Sequence, residues 1–61
     1  MNPMPLTFQS TSFERETIDS ATMTLRDAKR HAEHLASEYG ESIDIFDVKG
    51  KLLATVREYG S

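Results

Sequence analysis

The sequence contains no cysteine. A disulfide framework and a thiolate metal site are therefore both excluded, and the absence fits a reducing compartment. No run is long or apolar enough to span a bilayer. The N-terminus lacks the basic start and apolar core of a signal peptide, so a cytoplasmic location without a membrane partner is expected. Charge of one sign is also scarce: ten acids against seven Lys and Arg give a formal net charge of −3. That balance argues against general nucleic-acid binding, which rests on a net basic surface. The glycines, Gly40, Gly50 and Gly60, are isolated, so no loop is built to cradle a phosphate. The 61 residues make one domain, 1–61. A chain this short buries only about 60% of its unfolded surface, which leaves a thin core and no room for a deep active-site cleft.

What is present begins with one helix, Thr24 to Gly40. Thr24 is an N-cap whose hydroxyl can accept a first-turn N–H. Asp27, at the third helical position, suits the positive end of the helix dipole. Gly40 tolerates the left-handed conformation that ends a helix. Between them there is no Pro, no Gly and no β-branched residue. Leu25, Ala28, Ala32, Leu35, Ala36 and Tyr39 recur at three- and four-residue steps as one apolar stripe. Its small alanines let the helix lie close to a sheet. Lys29–Glu33, Asp27–His31 and His34–Glu38 are spaced for ion pairs along the helix.

The remaining segments read as strands. Residues 1–5 are expected to be disordered, since Pro3 and Pro5 supply no amide donor. Leu6–Ser10 alternates apolar and polar. Phe13–Asp19 has no clean apolar side and reads as an edge strand or irregular arm, with Asp19 to Met23 linking into the helix. Ser42–Asp47 and Lys51–Glu58 form a hairpin. Its turn is either a type I turn with a bulge at Gly50 or a two-residue Lys49-Gly50 turn. The first places Ile43 and Ile45 with Leu53; the second places them with Leu52, Ala54 and Val56. Either way both faces carry apolar side chains, and one helix covers one face. The second face is left to the N-terminal segment, to a partner, or partly exposed. The expected fold is α+β: an antiparallel sheet of three to four strands, β-β-α-β-β, with one helix packed on one face. The sheet order is not readable from the sequence.

Candidate chemistry is sparse. His31 and His34 stand three apart with Glu38 beyond them, the wrong spacing for two ligands one turn apart, so no metal is expected. Ser and Thr cluster in turns and caps, where they satisfy backbone groups, and no catalytic residues are assigned. The expectation is a non-enzymatic protein without a cofactor. Arg26, Lys29 and Arg30 form a basic edge at the helix start, and Lys49 and Lys51 add charge at the hairpin tip. They read either as a solvated face with intrahelical ion pairs or as a phosphate or RNA contact. Glu38, Glu41, Asp44 and Asp47 cluster around the helix end and the following strand, and Glu14 and Glu16 form another acidic group with Asp19. Carboxylates on a small rigid surface can imitate phosphates and occupy a basic channel; plain solubility is the alternative.

The helix start TLRDAKRHA, Thr24 to Ala32, followed by IDIFDVKGKLLATV, Ile43 to Val56, resembles the small type I anti-CRISPR proteins of phages and mobile elements. Those proteins are short, cysteine-poor and non-enzymatic, and several pair one helix with an antiparallel sheet. The resemblance implies a protein partner, a subunit of the CRISPR effector Cascade, and a block on target DNA entering it. In that reading Glu14, Glu16, Glu38, Glu41, Asp44 and Asp47 bind the partner. The protein acts in the host cytoplasm as a monomer or small homo-oligomer. Two alternatives stand beside it: an accessory or antitoxin-like module using the uncovered sheet face, and a weak nucleic-acid binder using Arg26, Lys29, Arg30, Lys49 and Lys51.

Overall fold

The computed structural model describes residues 2–11 and 16–57. The chain runs β1 (Met4–Ser10), β2 (Thr17–Met23), α1 (Leu25–Tyr39), β3 (Ile43–Phe46) and β4 (Leu52–Val56). This is the expected α+β arrangement, a four-stranded antiparallel sheet with one helix on one face. Among the described residues no helix is long and apolar enough to cross a membrane.

The caps of α1 are those its sequence specifies. Thr24 is extended, and its Oγ1 accepts the Asp27 N–H at 3.2 Å. Gly40 sits at φ 68°, and its N–H donates to the Ala36 carbonyl at 2.9 Å. Ala28, Ala32, Leu35 and Ala36 are buried, whereas Tyr39, in the last helical position, is exposed. The ion pairs expected along the helix are not formed. The ion pair among the described residues links His31 to Asp19 on β2 instead.

The strand order is β2-β1-β3-β4. Two hairpins thus join through their first strands, and α1 carries the chain from β2 over β1 to β3. Central position goes to the strands with the largest inward side chains: Phe8 on β1, and Ile43 and Ile45 on β3, are fully buried. Phe8 stands opposite Ile45 on one side and Asp19 on the other. Strand alternation then gives Leu6, Phe8, Ile43 and Ile45 to the helix side, and Thr7, Gln9, Asp44 and Phe46 to the uncovered side. The helix lies chiefly over β3, with β4 and β1 to either side.

Three sequence expectations are corrected. The N-terminal five residues are not all frayed: Met4 and Pro5 belong to β1 and pair with Met23 and Thr22. The second strand runs Thr17–Met23, through the segment read as a linker. The Phe13–Arg15 part of the expected strand lies outside the described residues. The shift follows from β-branched Thr17, Ile18 and Thr22, and from an edge position that needs only one weakly apolar side. The hairpin combines features of both readings. Asp47 accepts the Gly50 N–H at 3.0 Å, and Gly50 has φ 82°, as the bulged type I turn requires. Yet Ile43 pairs with Val56 and Ile45 with Ala54, as in the two-residue reading, while Leu52 pairs with Phe46 instead. A second irregularity explains this. Phe46 pairs with Leu52 and Ile45 with Ala54, so Leu53 is an extra residue that shifts the register back.

Candidate functional site

The described acids expected to bind a partner have different fates. Glu16, just before β2, and Glu38, in the last turn of α1, are exposed, and Glu41 is half-buried. Glu14 lies outside the described residues. Asp44 does not belong to an open acidic surface: it is 7% exposed. Its Oδ1 accepts the hydroxyls of Thr11 at 2.9 Å and Thr55 at 2.8 Å, tying the end of β1 to β3 and β4. Asp47 is a turn residue whose Oδ1 accepts the Lys49 and Lys51 N–H groups, each at 2.9 Å. Three residues, 40–42, link α1 to β3, so the two elements run in opposite directions. The end of α1 and the starts of β2 and β3 therefore share one end of the molecule. Glu16, Glu38 and Glu41 all lie at that end, Glu38 and Glu41 by the negative end of the helix dipole and Glu16 at the β2 edge of the sheet.

The cations gather at the other end. Arg26, Lys29 and Arg30 lie in the first half of α1, and Lys49 and Lys51 flank Gly50 in the β3–β4 turn; all five are exposed. Thr24, Arg26, Asp27 and Arg30 line an open hollow of about 410 Å³ at the helix start. Val48 borders a second hollow with Pro5, Thr7, Ser20 and Thr22, placing the turn beside the start of β1 and the end of β2. Two features escaped the sequence reading. Val48 is 71% and Leu52 50% exposed, so the cationic end also presents apolar surface. The other is the Asp19–His31 link.

His31 Nε2 donates to Asp19 Oδ2 at 2.7 Å, and its ring meets Phe8 edge-on with centroids 4.9 Å apart. The histidine is thus held between a core aromatic and an edge-strand carboxylate, which the helix spacing alone does not reveal. His34 is exposed. Among the described residues no group of three His, Asp or Glu side chains is placed to hold a metal. The His31 hydrogen bond, helped by the Ser20 N–H at 2.8 Å, holds the Asp19 carboxyl below its ordinary value. A lowered folded value means the bond stabilises the protein above the unfolded value of 3.8, and that stabilisation is lost as pH falls through the lowered one. Asp19→Asn is therefore expected to be less stable than the parent at about pH 6, and the gap to close toward about pH 2–3. Urea unfolding of both proteins at the two pH values checks this. The gap is small, because the Asp19 side chain is 43% exposed.

Comparison with protein-family models, curated proteins and solved structures finds no match to this chain.

Proposed function

We propose that the chain is a non-enzymatic inhibitor that binds a type I CRISPR effector complex and keeps target DNA out of it through its acidic end. The observation that carries the binding mode is that Glu16, Glu38 and Glu41 share the end of the molecule where α1 terminates. Carboxylates held on a helix end and a strand start keep a fixed spacing. Their field adds to that of the helix C-terminus, which suits a basic channel built for phosphates. The resemblance of residues 24–32 and 43–56 supplies the target. Asp44 supports this end from within as a strand clamp, whereas Asp47 belongs to the turn at the other end.

The test is DNA binding by a purified type I effector with and without the protein. Inhibition is expected. The triple change Glu16→Lys, Glu38→Lys and Glu41→Lys is expected to weaken it by about tenfold or more, ~1.4 kcal/mol of binding free energy, with the thermal midpoint little changed. Undiminished DNA binding in the presence of excess protein removes the target.

A second reading has its own observation. Phe46 pairs with Leu52 on the sheet face away from the helix, giving an apolar contact site. If Phe46→Ser and Leu52→Ser disturb partner binding and the charge reversals do not, the accessory-module reading takes its place.

A further inference from the structure

The sheet face away from the helix is uncovered, and we propose that the same face of a second copy closes it, about a two-fold axis running across the strands. The pairing register builds the patch. Thr7 stands opposite Ser20 on one side and Phe46 on the other, and Phe46 stands opposite Leu52. Ser20, Thr7, Phe46 and Leu52 thus form one row across all four strands on the open face. The row is hydroxylic over β2 and β1 and apolar over β3 and β4. Val48 borders a hollow on this face with Pro5, Thr7, Ser20 and Thr22.

Charged residues are 28% of the chain, and a sheet face left in water ordinarily takes a share of them. Here the strand positions of the open face are uncharged except for Asp44, which is buried and bonded to Thr11 and Thr55. Such a face can meet its own copy without burying an unpaired charge. It is also broad enough. The molecule measures 32 × 21 × 14 Å, and the helix stacks on the sheet along the short dimension. A face of the longer two dimensions covers on the order of 500 Å², so two copies bury about 1,000 Å², the lower bound for a specific interface.

Two like faces can meet with the two-fold axis along the strands or across them. An axis along the strands lays the apolar half of each row on the hydroxylic half of the other and stacks like ends. An axis across them lays Phe46 and Leu52 on their own copies and sets each end of the molecule over the opposite end of its partner. Those ends are complementary. Among the described residues, Glu16, Glu38 and Glu41 outnumber Arg57 at one end, and Arg26, Lys29, Arg30, Lys49 and Lys51 outnumber Asp27 and Asp47 at the other. The apolar match and the charge match therefore select the same axis, which favours a second copy over an unrelated protein. Thr7 and Ser20 are the middle residues of β1 and β2, so an axis along the row is central on the face.

The dimer needs no effector, so its test uses the protein alone. Sedimentation equilibrium from about 10 μM to about 1 mM is expected to show the mass rising from 6.9 kDa toward twice that value. Each substitution enters an isologous interface twice. Leu52→Lys and, separately, Val48→Lys are each expected to weaken the dimer by about tenfold or more. Tyr39→Lys, at the exposed end of the helix, leaves it unchanged. Circular dichroism confirms that these variants, all at exposed positions, remain folded. The chain has no cysteine, so Leu52→Cys places a single thiol beside the axis. Mild oxidation is expected to join two Leu52→Cys chains by a disulfide and to leave Tyr39→Cys monomeric. A mass of 6.9 kDa at every concentration overturns the proposal and leaves the face to another protein. A dimer indifferent to both lysine changes, or one that cross-links through Tyr39→Cys and not through Leu52→Cys, overturns it too.

Discussion

Phe8→Ala is expected to remove about 3–5 kcal/mol of stability, much of what the fold has. Phe8 is 0% exposed at the centre of β1, opposite Ile45 and under the helix. Its ring also gives His31 the edge contact that holds the imidazole over Asp19. Truncating a buried phenylalanine costs about 3–5 kcal/mol, part transfer and part cavity. A 61-residue domain has only about 3–9 kcal/mol in all. The loss takes much or all of the reserve, because so small a core has few side chains able to close the gap. The helix contributes chiefly alanines to the same buried cluster, Ala28, Ala32 and Ala36, which cannot extend into the space. Phe8→Leu, which keeps most of the volume, is expected to cost about 1–2 kcal/mol and remain folded. Urea titration followed by far-UV circular dichroism separates the outcomes: a folded Phe8→Ala with a midpoint near the parent's would show that the core does not depend on this ring.

The parts of the fold legible in the sequence are those set by neighbours along the chain. Thr24, Asp27 and Gly40 mark the helix ends, and the alanine stripe marks its buried face; each depends only on spacing within a few turns. Asp47 and Gly50 mark the turn for the same reason. The bounds of β2 are not legible because TIDSATM lacks a strong apolar alternation, and its strand state comes from pairing with β1. The bulge at Leu53 carries no signature of its own, so the turn was readable and the register was not. Asp19 on β2 and His31 on α1 stand twelve positions apart in the chain, and no local pattern announces the bond. The candidate surfaces behave alike. Acidic and basic clusters were visible separately, but their placement at opposite ends follows from the directions of α1 and β3. Alternation places Asp44 away from the helix, yet its burial depends on Thr11 and Thr55, which arrive from other strands.

Asp44 gives the second large effect. Asp44→Lys is expected to unfold the protein or come close, whereas Glu38→Lys and Glu41→Lys leave its stability within about 0.5 kcal/mol. At Asp44 the change puts an ammonium where a 7% exposed carboxylate accepts two hydroxyls. The new charge has no partner, and both threonines lose their acceptor. Leaving a buried charge uncompensated costs about 3–5 kcal/mol, comparable to the whole stability of a domain this size. Asp44→Asn keeps an acceptor oxygen at the same place and is expected to lose only about 1–2 kcal/mol. Glu38 is exposed and Glu41 half-buried at the helix end, where a cation is favoured by the dipole, so their reversal offsets part of its own cost. Urea midpoints for the four variants check the contrast. If Asp44→Lys keeps a midpoint near the parent's, the carboxylate is not committed to the strand clamp and returns to the set of surface acids. If it unfolds, loss of inhibition on reversing Asp44 says nothing about a partner, and Glu16, Glu38 and Glu41 are the positions at which the acidic end can be tested without testing the fold.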